Sequence, residues 1–151
     1  RSTKMKDTPK RNQSRFGWWV ATIIERFEFE DEGNDSDRKC RAWSNVVILK
    51  ANCREEAYQK AIIYAENSDA LDGKWESEDG RIGRWRFDGL SSLLPIYDEI
   101  NPDGTEILFD RYDSITYQEV RSWTKQKQQL EVFDDSEPVQ SEPKIKLIRR
   151  K

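Results

Sequence analysis

Residues 16–32 read FGWWVATIIERFEFEDE, and this stretch decides the fold class. Strand side chains alternate between two faces. The even positions are apolar as far as Ile24 and charged after it, whereas Glu25 interrupts an otherwise apolar odd face. We predict a strand over 18–30 whose first half is covered on both sides and whose second half has one wet face. The predicted core face consists of Trp19, Ala21, Ile23, Phe27 and Phe29.

Trp18 and Trp19 point to opposite faces of such a strand, so they cannot form one shared aromatic surface. Trp19 belongs to the predicted core face. Two alternatives stay open for Trp18. It lies under a C-terminal helix near Trp123, or it is exposed as an aromatic anchor for a partner.

Turn signals and hydrophobic periodicity divide the rest of the chain into further elements. A capping-box pattern predicts a helix from Asn52 to about Asn67, and Ser114 or Thr116 is expected to cap a second helix that ends near Leu130. The predicted strands after the first are 42–51, 81–89, 93–100 and 105–111, the last two as a hairpin around the turn 101–104. We predict an α+β fold with a mostly antiparallel sheet of about five strands. One helix follows strand 2, and a C-terminal helix packs on one face.

Charge is distributed unevenly along the 151 residues, whose net charge is −3. Residues 1–15 carry six basic residues and one acid and are interpreted as a flexible basic arm. Residues 16–131 form the predicted single α+β domain, with 15 basic and 24 acidic residues. Residues 132–151 are interpreted as a flexible tail. Its alternating end, 144–151, is either solvated or able to add a strand to a partner's sheet edge.

Four short motifs recur together in one known family. They are Trp18-Trp19-Val20-Ala21 with Ile23-Ile24 and Phe27, the strand-to-helix segment 47–61, Trp85-Arg86-Phe87-Asp88-Gly89-Leu90, and Asp103-Gly104-Thr105-Glu106-Ile107. Over about residues 17–111 the chain resembles a family of small uncharacterised bacterial domains of unknown function, well represented in cyanobacteria, with a W-[WY]-x-A opening strand. The resemblance supports the domain boundaries and implies no activity.

The residues that several kinds of catalysis and metal binding require are absent from this sequence. It contains no histidine, which removes Ser-His-Asp and Cys-His catalysis and histidine-ligated metal sites. No phosphate-binding glycine loop is present. The carboxylates Asp98, Glu99, Asp110 and Asp113 are expected on a solvated face, and the alternative is a carboxylate pair for acid–base catalysis. We therefore predict that the protein is not an enzyme and has no cofactor or metal.

Cysteine usage and hydropathy indicate the compartment. The two cysteines, Cys40 and Cys53, fit no disulfide framework, residues 1–15 lack the apolar run of a secretory signal, and no apolar run has membrane-spanning length. The expectation is a cytoplasmic protein with free thiols and no membrane contact.

Arginines alternate with Trp85 in the segment 81–89. Alternation places Arg84 and Arg86 opposite Trp85, so we expect a core tryptophan and arginines paired to acids. Trp18, Arg84 and Arg86 are the candidate partner-binding residues.

We expect a non-enzymatic binding module whose acidic body contacts a protein partner, with an immunity or antitoxin-like role as one version. The alternative is a nucleic-acid-associated protein that uses the basic tails and the Arg81–Arg86 strand.

Overall fold

The computed structural model describes residues 8–137 and 145–148, and these fall into two compact units. One unit comprises the described residues up to 108 together with 145–148, and the other comprises 109–137. The strands and helices are β1 (Trp18–Phe29), β2 (Ala42–Lys50), α1 (Arg54–Glu66), β3 (Trp75–Ser77), β4 (Ile82–Pro95), α2 (Tyr117–Ser122) and β5 (Ile145–Leu147).

Within these residues the sheet has five strands in the order β2-β1-β4-β3-β5, and all neighbours are antiparallel. The prediction of an α+β fold with an antiparallel sheet and a helix after strand 2 is confirmed. The predicted packing of the C-terminal helix on one face of the sheet stays a prediction.

The core face of the sheet carries the odd-numbered side chains of β1. Of these, Trp19, Ala21, Ile23 and Phe27 are buried, as predicted, whereas Phe29 is half-buried. The helix α1 turns its own buried residues, Ala57, Ala61 and Ala65, inward. Trp19 and Ala57 belong to one buried cluster, and the Trp19 indole donates to the carbonyl of Ala51 at 3.0 Å. The opposite side of the sheet, with the even-numbered side chains of β1, is called the outer face below.

One long strand, β4, replaces the two strands predicted over 81–100. It pairs with β1 from Phe29↔Gly83 to Trp19↔Pro95, and the register shifts twice on the way. Asp88 and Ser91 are the extra residues at these β-bulges. Gly89 between them has φ +144°, which residues with a side chain rarely adopt. The predicted break is therefore a pair of bulges inside a continuous strand.

The hairpin predicted between 93–100 and 105–111 is wrong. The turn is present, since Gly104 N donates to Asn101 O at 3.1 Å, but neither 96–100 nor 105–111 forms a strand. Leu93 and Leu94 pair instead with Ala21 and Val20 of β1.

The second helix is shorter than predicted. Thr116 caps α2, as expected, by accepting from Glu119 N at 3.1 Å. The helix ends at Ser122 rather than near Leu130, and two short 3-10 turns follow it. Its apolar residues Val120 and Trp123 are 40% and 50% exposed. A helix that buries no apolar face has little to stabilise further turns.

Parts of both predicted tails contact the sheet unit. Ser14 Oγ donates to Ile96 O at 2.8 Å, and the Tyr97 hydroxyl donates to Arg11 O at 2.5 Å. At the other terminus β5 pairs with β3 of its own sheet. Residues 1–7, 138–144 and 149–151, which hold the rest of the predicted arm and tail, lie outside the described residues.

The sequence predicts that the protein makes no contact with a membrane, and helix length and hydropathy bear on this prediction. Across the residues that the structure describes, every helix is too short or too polar to cross a bilayer.

Candidate functional site

The two neighbouring tryptophans lie on opposite faces of β1, as the alternation predicts. Trp19 is 2% exposed in the core, whereas Trp18 is half-buried on the outer face. The Lys50 ammonium lies 5.3 Å from the centroid of the Trp18 ring. Trp18 is therefore partly covered by the side chain opposite it on β2.

Both predicted arginine residues lie on the outer face, but only Arg86 belongs to the ion-pair network described there. Arg86 contacts the Glu28 carboxylate at 3.3 Å. Arg26, which pairs with Arg86 across the strands, contacts Glu28 at 3.2 Å and Asp88 at 3.1 Å. Arg84 is half-buried opposite Glu28. Hydrogen bonding from Arg26 lowers the pKa of Glu28, and the charge of Arg86 lowers it further.

The neighbouring aromatic residue, Trp85, does not share this surface. Its side chain is 4% exposed on the core face, edge-to-face with Phe27 at a centroid distance of 5.3 Å. Arg81 is bound by Asp31 at 2.7 Å, which lowers the pKa of that carboxyl. The strand thus places the Trp85 ring on the core face and Arg84 and Arg86 on the outer face, whereas the Arg81 guanidinium lies 3.8 Å from the centroid of the Phe29 ring.

Within the described part of the chain, β2 is an edge strand and one row of its backbone groups points away from the sheet. Phe27 N donates to Arg41 O, and Ala51 N donates to Gly17 O. Since N–H and C=O directions alternate along an antiparallel strand, the odd-numbered residues of β2 bond to β1. The outward-pointing residues are therefore Ala42, Ser44, Val46, Ile48 and Lys50, of which Lys50 O accepts from the Lys60 ammonium at 2.6 Å.

The composition of β2 does not protect this edge. Natural edge strands are blunted by proline, bulges, charges or short length. This one runs for nine residues as AWSNVVILK, pairs with β1 without a register shift, and has its one charge at the end. Val46 and Ile48 are 54% and 46% exposed. Such an edge is suited to accept another strand.

A buried carboxylate lies at the centre of the core face. Glu25 of β1 is 5% exposed between Trp43 of β2 and Phe87 of β4. Asn45 Nδ2 donates to its Oε1 at 2.5 Å, while its Oε2 is buried and has no hydrogen-bond partner. The bulge at Asp88 adjoins this position, and bulges often occur beside functional sites.

Two tryptophans meet across β1 near this carboxylate. Trp43 projects from β2 and Trp85 from β4, and their ring centroids are 4.7 Å apart with the planes tilted by 45°. Trp43 is 51% exposed and Trp85 is buried. Trp43 therefore forms the solvent-exposed part of this aromatic cluster on the core face.

The other candidate chemistries are not assembled in the described residues. No three His, Cys, Asp or Glu side chains there are placed to hold a metal ion. Asp98, Glu99, Asp110 and Asp113 are all exposed. Cys40 is exposed, and Cys53 is half-buried before the first turn of α1; both thiols are free.

Comparison with protein families places this sheet in a known group. A family model described as "Domain of unknown function (DUF4288)" matches residues 18–109. The chain belongs to this family. The predicted resemblance to a family of unknown function over about residues 17–111 is confirmed. The DUF4288 match begins at the first residue of β1 and contains β2, α1, β3 and β4. Neither the curated proteins nor the solved structures gave a match.

Sequence reasoning named Trp18, Arg84 and Arg86 but missed the two features that structure makes most distinctive. Glu25 had a visible signal, because it interrupts an apolar strand face. The free edge of β2 had none, since strand order depends on contacts distant in sequence.

Proposed function

We propose that this DUF4288 protein is a non-catalytic binding module that accepts an extended segment of a partner protein along the free edge of β2. The supporting observation is the outward-pointing backbone of Ala42, Ser44, Val46 and Ile48 on a regular, almost uncharged edge strand. Main-chain hydrogen bonds would supply affinity, and the alternating side chains of the added strand would supply specificity.

Charge favours a basic partner. Residues 16–131 carry 24 acidic against 15 basic residues, and a surface of one sign speeds association with a partner of the other. An immunity or antitoxin-like role, in which the acidic protein covers a basic toxin, is one form of this proposal. The free thiols of Cys40 and Cys53 support placing it in the reducing cytoplasm.

The nucleic-acid alternative has less support among the described residues. Arg81 and Arg86 are engaged by Asp31 and Glu28, so phosphate binding by these two would require breaking those pairs, and only Arg84 is without an ion pair in the described part of this strand. Trp85 is 4% exposed and offers no ring face to a base.

Proline substitution tests the strand-addition proposal. The Val46 N–H points away from β1, so Val46→Pro removes one outward donor and leaves the β1–β2 ladder intact. Peptides selected from a random displayed library against the full chain would supply the probe. We expect Val46→Pro to weaken binding of the selected peptides at least tenfold in calorimetric titration, with little loss of thermal stability.

The matched control is Val47→Pro, whose missing N–H belongs to the inner ladder and which should unfold the protein instead. In the wild type, amide NMR signals of Ser44, Val46 and Ile48 should shift on peptide addition. Peptides that bind Val46→Pro as tightly as wild type, or that shift other signals only, would overturn the proposal.

A further inference from the structure

The environment of Glu25 leaves half of its carboxyl group unmatched. Glu25 is 5% exposed on the core face. Asn45 donates to Oε1, whereas Oε2 is buried and accepts no hydrogen bond. Buried polar atoms are nearly always paired, because removing them from water without a partner is costly. An unpaired carboxylate oxygen at such a position indicates that a hydrogen-bond donor from another molecule pairs with it.

Among the residues that the structure describes, Glu25 takes part in no ion pair and no donor pairs with Oε2. The adjacent Arg26 lies on the outer face and contacts Asp88, Glu28 and Glu32. Arg41, opposite Phe27 just before β2, donates no hydrogen bond to Oε2. The remaining neighbours of Glu25 across the strands are Trp43 and Phe87.

The residue that separates Glu25 from the free edge is an aromatic one. Trp43 stands directly opposite Glu25 on β2, and half of its side-chain surface is exposed. A strand added to β2 would place alternate side chains beside Trp43 on the core face. Aromatic rings attract ammonium and guanidinium groups over their faces, most strongly for tryptophan.

We propose that Glu25 and Trp43 form a recognition site for an organic cation, the guanidinium or ammonium group of a basic side chain on the partner's added strand. This inference rests on the proposed function, since the added strand delivers the cation. The cationic group lies against the Trp43 ring and donates to Glu25 Oε2, while Asn45 holds Oε1. Trp43 turns away from Trp85 to admit it.

The donor set selects an organic cation over a metal ion. A hard metal ion needs several oxygen ligands, whereas this site offers one unpaired carboxylate oxygen beside aromatic carbon. Guanidinium fits best, because it stacks on a ring and donates from its edge at the same time.

Small probes test the site without knowledge of the partner. Methylguanidinium represents the charged group, and methylurea is its neutral analogue of similar shape. The readouts are the Trp43 indole N–H and the Asn45 side-chain amide in NMR spectra of the full chain. We expect methylguanidinium to shift both signals saturably at millimolar concentrations and methylurea to leave them unchanged.

Glu25→Gln keeps the shape of the side chain and removes its charge, so it should abolish the saturable shift. Glu28→Gln makes the same change on the outer face of β1 and should leave the shift intact. Equal responses to both probes, equal responses in wild type and Glu25→Gln, or no saturable response in the folded wild type would overturn the inference.

The two proposals fail differently. Loss of peptide binding in Val46→Pro with no basic residue enriched among the selected peptides would retain strand addition and overturn the cation site. Peptide binding that is insensitive to Val46→Pro, with the methylguanidinium response intact, would overturn strand addition and confine the site to free cations.

Discussion

Close approach between strands fixes the identity of Gly83. This residue of β4 lies opposite Phe29 of β1 and also pairs with Trp75 of β3. A β-carbon built on Gly83 would lie 2.6 Å from Cε1 of Phe27 and overlap the backbone carbonyl of Glu28. The missing side chain therefore makes room for the Phe27 ring that packs against Trp85.

Gly83→Ala is predicted to destabilise the protein by about 1–3 kcal/mol, because a buried ring and a carbonyl must move to admit the methyl group. The free energy of unfolding in urea measures this. Gly33→Ala is the control, since nothing lies within 4 Å of its β-carbon position. Equal stability of the two variants would show that the core beside Gly83 has spare room.

The sequence predicted where Glu25 lies but not how deeply it is buried. Alternation alone assigns it to the apolar face of β1. Its burial depends on Trp43 and Trp85, which are 42 residues apart in sequence and meet only after β2 and β4 have both paired with β1. The contact between Trp43 and Trp85 cannot be predicted from the sequence without the strand order.

Small residues let α1 lie close to the sheet. Ala57, Ala61 and Ala65 recur every four residues and are at most 2% exposed. Ala57 belongs to the same buried cluster as Trp19 and Ala51. The large side chain in this interface belongs to the sheet, and the small alanine side chains let the backbone of α1 approach it closely.

Ala57→Leu is therefore predicted to overpack this interface and to cost about 1–3 kcal/mol of stability. Chemical denaturation followed by tryptophan fluorescence reports both the stability and the environment of Trp19. Gln59→Leu adds a leucine on the exposed side of the same helix and should change stability by less than about 0.5 kcal/mol. A stabilised Ala57→Leu variant would contradict close packing here.

Elements were predictable where local patterns decide them. The strand β1 and the Thr116 cap follow from alternation and capping chemistry, and the helix α1 follows from periodicity. The predicted Asn52 cap is wrong, because α1 begins at Arg54 after Cys53, whose side chain makes no capping hydrogen bond. The strand β4 was predicted as two because Gly89 and two serines resemble a break. Pairing with β1 continues across them, since the bulges at Asp88 and Ser91 absorb the irregularity. The pairing of β5 with β3 joins segments about 70 residues apart and has no local signal.

The two edge strands of the sheet differ in length. Among the described strands, the three-residue β5 is the edge on one side and the nine-residue β2 is the edge on the other. Net negative charge opposes strand pairing between copies, because molecules of one sign repel each other. The sequence pI is about 5.2, so this repulsion disappears in mildly acidic solution.

We predict that the wild type self-associates near pH 5.2 through β2 and is dispersed at pH 7.5. Val46→Lys places a charge on the exposed side of the edge strand and should suppress the association. Ile63→Lys is the matched control, because Ile63 of α1 is 55% exposed against 54% for Val46 and the change in net charge is the same. Sedimentation velocity at both pH values measures the outcome. If Ile63→Lys suppresses association as well as Val46→Lys does, net charge alone explains it and the edge of β2 is not the contact.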